Sequence, residues 1–480
     1  MPHTAPPASA AARASAALAR HPGVAEVSVP PHQPDTAQVV PVLDRDRARQ
    51  ELRLLWTAVA DSTAAQAPAS GTDFDISGWT SSYTGRPLPE EDMREWVART
   101  VALLRETNPA TVLELGCGTG LLLLRLAPDT RRYTAFDLSR PILDGLATAV
   151  GRAGLRQVEL HQGEATEAER FAGAGFDLVV CNSVVHYFPD TAYLRRTLDA
   201  ALRATGRRGR AVFGDVRDRS LAEAFHASVV LAQADDAMSG SDLRRAWQLR
   251  LREDPQMSIA PQWFTASAAD TPEWHAEIRP RRGAARNEMN GFRFDAVLHH
   301  QPPLADIGDW RDWSGEPLTL PALDRLLADR RYALGLRGIP NARTAGAAAL
   351  AAALAGTDVP PVAELRRLAG AAGVGVDPEE LFALAARRGM RCHLSRAAGA
   401  ADGSYDAAFL PDGRDGDRRP LPRFPAAPAP APGAWVAEPV VQRALGIARK
   451  QLVPQLRRLA ETELAPHERP SRYEVLPELP

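Results

Sequence analysis

The middle of the chain alternates short apolar runs with longer amphipathic stretches, the pattern of strands that alternate with helices. Stretches such as Thr191–Ala204 repeat their apolar residues at helical spacing. The apolar runs that fit strands begin at Thr111 and continue at Tyr133–Phe136, Val158–His161, Phe176–Cys181 and Ala211–Gly214. This alternation predicts a parallel sheet with helices between its strands.

A helix before this region and a hairpin after it extend the pattern. Pro89–Asp92 makes an acidic first turn, which is typical of the start of a helix. One face of that helix carries Met93, Trp96, Val97, Thr100, Val101 and Leu104. We expect this face to pack on the sheet. Further along, Trp274–Ile278 and Phe292–Leu298 are predicted to be two strands joined by a long loop.

Beyond residue 300 the chain changes to shorter helices and two further strands. We expect residues 301–410 to form a small α+β accessory domain, followed by a semi-rigid linker over the proline- and alanine-rich residues 411–435. The accessory elements predicted are helices at Leu320–Arg330, Thr344–Leu354, Pro361–Leu368 and Asp377–Arg388, and strands at Arg391–Ser395 and Tyr405–Leu410.

Each end of the chain holds part of a small fold. The elements predicted there are helices at Ala11–Arg20 and Val440–Leu464 and strands at Val24–Val29, Val39–Leu43 and Tyr473–Leu476. Neither end has enough apolar residues for a core of its own. We therefore expect residues 1–45 and 436–480 to complete one unit, with a larger domain at 46–300 that opens with a helix at Arg47–Ala60.

Composition and charge narrow the classes of function. The chain has 57 basic and 59 acidic residues and a formal net charge of -2, which gives no general attraction to nucleic acid or to an anionic membrane. Cys117, Cys181 and Cys392 are too few and too scattered for a disulfide framework or a cysteine-only zinc site. Prolines interrupt the N-terminal alanine-rich stretch, and no long apolar span follows. We expect a cytoplasmic protein without nucleic-acid, membrane or metal partners.

A glycine-rich turn follows the first strand and carries the clearest chemical signal. Gly116, Gly118 and Gly120 lie at alternate positions, and a helix is predicted at Leu121–Ala127. Glycine allows the backbone to approach a ligand closely. A turn at the carboxyl end of a strand is also where doubly wound sheets bind ligands. The turn therefore predicts a ligand site.

The same region indicates which ligand to expect. A dinucleotide-binding turn has its third glycine one position later, where this chain has Leu121, so a pyrophosphate is not expected. Asp137 follows the second strand, where an acidic side chain can accept hydrogen bonds from both hydroxyls of a ribose. A ribose without a pyrophosphate describes S-adenosylmethionine.

The run Val112–Gly120, together with Asp137, resembles the signature of class I methyltransferases. The resemblance implies an α/β fold whose Rossmann-like sheet closes with an antiparallel hairpin, and S-adenosylmethionine as the cofactor. We assign to cofactor binding Glu114, Gly116, Gly118, Gly120, Asp137, Leu138, Glu164, Asn182 and Tyr83. Glu164 could instead be a helix-start acid. Tyr83, like Trp79, could cover the cofactor sulfonium by cation–π contact or simply pack as core.

A second resemblance covers the ends of the chain. Leu18–Val27, Ala448–Leu456 and Pro470–Pro480 resemble the small subdomain of nonribosomal peptide synthetase adenylation domains. The chain thus looks like an interrupted adenylation domain that lacks the large activating subdomain. The tail stops before the motif that carries the family's catalytic lysine, and Lys450 lies on the preceding helix, so we expect no self-contained amino-acid activation. The segment Asn341–Arg343 resembles a family segment that we expect to dock the accessory domain.

In the resembled enzymes, an insertion late in this subdomain goes with backbone N-methylation. The resemblance therefore implies methylation of the amino group of an aminoacyl or peptidyl thioester held on the carrier protein of a synthetase. The candidate bases are Glu288, His226 and His186, and the candidate substrate contacts are Asp215, Arg217 and Asn287. Two alternatives stay open, namely methylation of carbon or oxygen on a carrier-bound or small-molecule substrate, and a non-catalytic interaction module.

Overall fold

The computed structural model describes residues 9–65, 73–315, 318–328, 332–411, 419–427, 429 and 435–479. It shows an α/β protein with two compact units, one made of Met1–Trp56 and Glu438–Pro480 and the other of Thr57–Ala437. None of the helices among these residues has both the length and the hydropathy that a membrane span requires.

The elements have the following bounds. The α-helices are α1 (Ala10–Leu18), α2 (Arg45–Ala65), α3 (Glu90–Arg105), α4 (Leu123–Leu126), α5 (Arg140–Arg152), α6 (Thr191–Ala204), α7 (Ala222–Gln233), α8 (Gly240–Arg252), α9 (Pro261–Ala269), α10 (Glu288–Gly291), α11 (Leu320–Ala328), α12 (Ala345–Ala355), α13 (Val362–Ala371), α14 (Pro378–Arg387) and α15 (Pro439–Glu463). The strands are β1 (Val24–Ser28), β2 (Thr36–Pro41), β3 (Thr111–Leu115), β4 (Arg132–Asp137), β5 (Val158–Gln162), β6 (Phe176–Asn182), β7 (Thr205–Arg217), β8 (Ser258–Ile259), β9 (Trp274–Pro280), β10 (Arg293–His300), β11 (Leu304–Ala305), β12 (Trp310–Asp312), β13 (Leu334–Ile339), β14 (Met390–Ser395), β15 (Tyr405–Pro411), β16 (Leu421–Pro422), β17 (Val436–Ala437) and β18 (Arg472–Val475). Short 3-10 helices lie at Ala127–Asp129, Ala165–Phe171, Val185–Tyr187, Arg219–Leu221 and Pro466–Glu468.

A seven-stranded sheet in the order β5-β4-β3-β6-β7-β10-β9 forms the centre of the larger unit. The strands from β3 to β7 run parallel, and β10 is antiparallel to both β7 and β9. The sheet therefore closes with the predicted hairpin, and the predicted α/β class is confirmed. The strand order reverses at β3, between β4 and β6, which is where doubly wound sheets open a ligand crevice.

The helix predicted before the first strand packs on this sheet. All six residues of the predicted face of α3 are buried. The apolar ones lie in one cluster with Val112, Tyr133 and Val297 of the sheet. The acidic first turn and the spacing of the apolar residues therefore located both the helix and its buried face.

Two elements of the sheet region differ from the predictions. The helix expected at Leu121–Ala127 is shorter, because α4 covers Leu123–Leu126 and continues as a 3-10 turn at Ala127–Asp129. Pro128 lies in that turn and lacks the N–H that would continue the α-helical bonds. Strand β7 begins at Thr205, well before the predicted start, because Thr205 pairs with Phe176 of β6 across a register shift.

The residues between 301 and 411 build a smaller sheet in the order β12-β13-β15-β14. The antiparallel pair β14 and β15 is the predicted one. The strands β12 and β13 were not predicted. The sequence of β13 is Leu-Gly-Leu-Arg-Gly-Ile, and its two glycines have a low propensity for strands. Part of the predicted linker lies outside the described residues. The described part of the linker is not free of pairing, since β16 pairs with β11.

Arg343 docks this smaller sheet on the hairpin loop of the central sheet, as expected for its segment. Its guanidinium donates to the carbonyl oxygens of Arg281 at 2.8 Å and Gly283 at 2.7 Å. The same group forms an ion pair with Asp377 at 2.7 Å and is almost fully buried. A single side chain thus satisfies carbonyl groups on one part of the unit and a carboxylate on the other.

The two ends of the chain form the second unit. Strand β18 pairs parallel to β2, which pairs antiparallel to β1. The helices α1 and α15 cover this small sheet, with Leu18 from one end and Leu452 and Leu456 from the other in the same core. Each end therefore supplies apolar surface that the other buries.

Candidate active site

The three glycines of the turn have left-handed backbone angles but different surroundings. The φ angles are +79° at Gly116, +51° at Gly118 and +85° at Gly120. A Cβ at Gly116 would lie 2.4 Å from Val184, and a Cβ at Gly120 would lie 2.3 Å from Leu146. A Cβ at Gly118 would meet no atom within 4 Å. Packing within the protein therefore accounts for the outer two glycines, and Gly118 is the one that faces open space.

Asp137 lies directly beside that open glycine. One carboxylate oxygen, Oδ2, accepts from the backbone N–H of Gly118 at 2.9 Å, and Oδ1 accepts from the N–H of Ser139 at 3.0 Å. Each carboxylate oxygen has further lone pairs, so both can also accept from ligand hydroxyls. Asp137 is half-buried, and burial raises its pKa. The turn and the acid fit a ribose-bearing cofactor, because Gly118 offers room and Asp137 offers acceptors.

Glu114 lies beneath the turn in the interior. Its Oε2 accepts from the hydroxyl of Tyr133 at 2.7 Å. Burial, with a smaller contribution from the charge of Asp137, raises the pKa of Glu114 to about 8. Glu114 is therefore largely protonated at neutral pH and can donate as well as accept. Its contact with the cofactor stays a prediction.

Two further residues that the sequence assigns to cofactor binding, Glu164 and Leu138, have roles within the fold. Glu164 caps the 3-10 helix at Ala165–Phe171 in a reciprocal pair with Glu167, which is the helix-start role that the sequence left open. The half-buried Leu138 accepts at its carbonyl oxygen from Gln162 at 3.1 Å. Their contacts with a cofactor stay predictions.

The end of β6 brings Asn182 next to the sheet edge. Gly214 on β7 makes room for it, since a Cβ there would lie 2.2 Å from Asn182 Oδ1. That oxygen is buried, and no described residue donates to it. The following segment reaches the glycine turn, because Val184 packs on Gly116.

Asp215 lies at the same edge, with a left-handed φ of +56°, and is fully buried. Its side chain accepts from Ser183 and Arg293 at 2.5 Å each and from Trp96 at 3.3 Å. Burial alone would raise the pKa of Asp215, but the guanidinium groups of Arg293 and Arg281 lower it. Asp215 is thus ionised and already well supplied with donors, so its contact with a substrate stays a prediction.

His186 follows β6 and is almost fully buried. Its carbonyl oxygen accepts from the N–H of Met257 at 2.9 Å. Burial and the nearby charge of Arg293 lower the pKa of His186 to about 3, although Asp215 opposes this. Its ring nitrogen Nδ1 has no partner within the described part of the chain. His186 is therefore neutral at physiological pH and a weak acceptor of protons.

His226 on α7 forms a cluster with Asp254 and Arg217. Its Nε2 lies 2.9 Å from Asp254 Oδ2, while its buried Nδ1 has no partner among the described residues. Asp254 also pairs with both terminal nitrogens of Arg217, at 3.0 and 2.7 Å. The Arg217 guanidinium lies over the ring of Phe225, which contacts His226. Sequence reasoning missed Asp254, because it lies in a loop after α8 and outside any motif.

Glu288 opens the short helix α10 and is buried. Its Oε1 accepts from the N–H of Ser82 at 2.8 Å, and its Oε2 has no partner in the described structure. The neighbouring Asn287 caps α10 through Oδ1 and donates to Asp92 at 3.0 Å. Asn287 thus uses both ends of its amide within the fold, and its substrate contact stays a prediction.

The predicted aromatic pair packs in two different places. Tyr83 lies edge-on to Phe225 and exchanges a hydrogen bond with Ser228 at 2.9 Å. Burial raises the pKa of Tyr83 to about 12, so its hydroxyl stays protonated. Trp79 contacts Trp96 with a ring separation of 4.8 Å. Both aromatics therefore have the core contacts that the sequence left open as the alternative.

Comparisons with known proteins identify a methyltransferase domain within the chain. Residues 112–209 match a family model described as a methyltransferase domain. The chain is 37% identical over 427 residues to chondramide synthase of Chondromyces crocatus, an alignment that covers 87% of this chain and 11% of that protein. It is 29% identical over 448 residues to the beauvericin nonribosomal cyclodepsipeptide synthetase of Beauveria bassiana, covering 86% and 14%.

Among solved structures, the chain is similar to the N-methyltransferase NodS from Bradyrhizobium japonicum in complex with S-adenosyl-L-homocysteine. The two are 18% identical, and the match covers 53% of this chain and 98% of that one with a TM-score of 0.32.

The similarity to synthetases extends over most of the chain, well beyond the methyltransferase model. The chain nevertheless spans only 11% and 14% of the length of those two relatives. The chain therefore contains an S-adenosylmethionine-dependent class I methyltransferase domain of the kind embedded in nonribosomal peptide synthetases.

Proposed function

We propose that the chain transfers a methyl group to the amino nitrogen of an aminoacyl or peptidyl group that a carrier protein holds as a thioester. The supporting observation is that three candidate site residues each keep a buried acceptor atom to which no described residue donates, namely Asn182 Oδ1, His226 Nδ1 and Glu288 Oε2. A primary amine brings two N–H donors, a hydroxyl group brings one, and a carbon acid brings none. Unpaired acceptors therefore suit nitrogen better than oxygen or carbon.

The site residues have separate tasks in this reaction. S-adenosylmethionine, when bound at Gly118 and Asp137, supplies an electrophilic methyl group. The buried acceptors at Asn182 and Glu288 hold the amine by its N–H groups and direct its lone pair. Orientation of this kind can supply much of the rate enhancement, because the reacting atoms must be in line. A base that removes the amine proton adds roughly two to four orders of magnitude.

The carrier-bound substrate is the second part of the proposal. Relatives that match most of the chain include a chondramide synthase and a nonribosomal cyclodepsipeptide synthetase. A thioester on a flexible carrier arm suits a crevice at the carboxyl ends of parallel strands. The partner is therefore the carrier domain of such a synthetase.

The test supplies methyl-labelled S-adenosylmethionine to three possible substrates in parallel. These are an aminoacyl carrier, the matching hydroxyacyl carrier and the free amino acid. We expect label on the nitrogen of the aminoacyl carrier only, read by mass spectrometry of the intact and hydrolysed product. Label on the hydroxyacyl carrier would favour O-methylation, and label on the free amino acid alone would favour a small-molecule enzyme. No label on any acceptor, with the cofactor bound, would favour an interaction module.

A further inference from the structure

The proton on the His226 ring can be located from its partners. Asp254 Oδ1 accepts from Arg217 and from the N–H of Gln256, and Oδ2 accepts from Arg217. These donors hold Asp254 as a carboxylate, and burial, which would raise its pKa, is outweighed by Arg217 and His226. A carboxylate has no proton to donate, so the contact at 2.9 Å must be a bond from His226 Nε2–H.

This tautomer leaves a lone pair on Nδ1. Burial lowers the pKa of His226, with further lowering by Arg217 and Arg250, although Asp254 raises it. The ring is therefore neutral at physiological pH, with its proton on Nε2. Nδ1 is buried, His226 is only 3% exposed, and no described residue donates to that atom. A neutral imidazole with one nitrogen fixed and the other free has the form of a general base.

We propose that Asp254 is a positioning residue that holds the His226 proton on Nε2 and so leaves Nδ1 to accept the proton of the substrate amine. This inference rests on the proposed function. As the nitrogen lone pair forms the new N–C bond, the methyl carbon–sulfur bond breaks and sulfur keeps its electron pair. One N–H bond of the amine breaks in the same reaction, and its proton goes to Nδ1 of His226. Asp254 then stabilises the imidazolium until the proton leaves to solvent.

The other two candidate bases are less suited to this task. His186 has a pKa of about 3, so its imidazolium is hard to form. Glu288 has one oxygen held by the N–H of Ser82, and no side chain among the described residues donates to its other oxygen. We therefore assign the proton transfer to His226 and leave Glu288 the task of holding the amine.

The direct test reads the tautomer by nitrogen-15 NMR of the full chain with labelled histidine. The His226 signals are assigned by their absence in His226→Gln. In the wild-type protein we expect a protonated Nε2 and an unprotonated Nδ1. In Asp254→Asn, Arg217 should hold the amide oxygen, so that the amide NH₂ donates to Nε2 and moves the ring proton to Nδ1. A protonated Nδ1 in the wild type, or an unchanged tautomer in Asp254→Asn, would overturn the proposal.

Because this measurement needs no substrate, its failure is distinguishable from a failure of the proposed function. Where methyl transfer is observed, Asp254→Asn should lower kcat by roughly 10² to 10⁴, the contribution that general acid–base catalysis typically makes. KM for the carrier should stay within about threefold, since Asp254 acts on His226 rather than on the substrate. Asp254→Glu should restore part of the loss.

Asp199→Asn is the matched control, because Asp199 also pairs with an arginine, Arg195, but lies on α6 away from His226. We expect its kcat and its histidine spectrum to be those of the wild type. Equal kcat values for Asp254→Asn and Asp199→Asn would contradict the proposal.

Discussion

At the scale of single residues, the site departs from the usual rule for buried polar atoms. Such atoms almost always have hydrogen-bonding partners, because an unpaired one costs about 1–3 kcal/mol of desolvation. Asn182, His226 and Glu288 each keep one buried acceptor without a donor among the described residues. A folded protein can tolerate such unpaired atoms at a site where a bound ligand supplies the missing donors. These three unpaired acceptors, all on residues that the sequence assigns to the site, are therefore candidates for ligand contact.

Asp137→Ala should weaken the binding of S-adenosylmethionine roughly ten- to a hundredfold. The reason is the loss of hydrogen bonds to a charged acceptor, each worth about 1.5–3 kcal/mol. Isothermal titration calorimetry of the purified chain measures the change. Asp144→Ala, an exposed carboxylate paired with Arg140 on α5, is the control and should bind like the wild type. Equal affinities for both variants would remove Asp137 from the site.

Alanine at Gly118 and at Gly116 should have opposite main effects. At Gly118 the added Cβ enters open space, so the fold should persist at a cost of about 1–2 kcal/mol for the left-handed backbone, while cofactor affinity falls. At Gly116 the Cβ would clash with Val184, so thermal stability should fall further. Thermal melting with and without the cofactor separates the two. A larger loss of stability in Gly118→Ala would contradict this assignment.

At the scale of elements, the sequence located what is repetitive and missed what depends on distant partners. The βα alternation, the face of α3 and the two strands of the hairpin follow from apolar spacing, which is local, whereas the place of the hairpin at the end of the sheet followed from the family resemblance. Strand β13 was missed because its residues become a strand only when β12 and β15 pair with it. Asp254 was missed for the same reason, since its partners lie on β7 and α7 and no local pattern announces them.

A cluster of charged groups where β9 meets β14 should make stability depend on pH. Glu277 on β9 accepts from Arg279 at 2.7 Å, His299 at 2.8 Å and His393 of β14 at 3.3 Å. Burial would raise the pKa of Glu277, but these donors lower it well below its ordinary value of 4.5. Because the pKa of Glu277 is lower in the folded than in the unfolded protein, its ionised form stabilises the fold above pH 4.5. This stability is lost as the pH falls towards the folded-state pKa. The total loss is about 1.4 kcal/mol for each unit by which the folded and unfolded pKa values differ.

Urea unfolding between pH 6 and pH 3 tests this dependence at about unit intervals. We expect the free energy of unfolding to fall on acidification in the wild type and to fall less in Glu277→Gln. Glu159→Gln, at an exposed position on β5, should follow the wild-type curve. Identical slopes for Glu277→Gln and the wild type would refute the role of Glu277.

At the scale of the whole molecule, the chain forms two compact units, and the smaller one is made from both of its ends. The sequence predicted this pairing because neither end had enough core alone, and the shared core joins α1 with α15. The exact boundaries could not be predicted, since α2 runs without interruption from Arg45 to Ala65 across the division at Trp56.

Leu456→Ala should destabilise the smaller unit and leave cofactor binding unchanged. Leu456 is fully buried in the core made by both ends, and such a truncation costs about 2–5 kcal/mol. Hydrogen exchange should accelerate in α15 and β2, with calorimetric affinity for the cofactor as in the wild type. Leu54→Ala, at a leucine of the same unit that is 64% exposed, should change stability by less than about 0.5 kcal/mol. A tenfold loss of cofactor affinity in Leu456→Ala would contradict this expectation.

The unequal surroundings of the three turn glycines bear on how related sequences should be interpreted. A lineage that lost methyl transfer would still need Gly116 and Gly120, because larger residues there collide with Val184 and Leu146. At the turn, Gly118 would then be favoured only by its left-handed backbone, and Asp137 would lose its proposed ligand. A sequence that keeps the outer glycines therefore retains a domain that folds, whereas loss of Gly118 together with Asp137 marks a domain that has stopped using its cofactor.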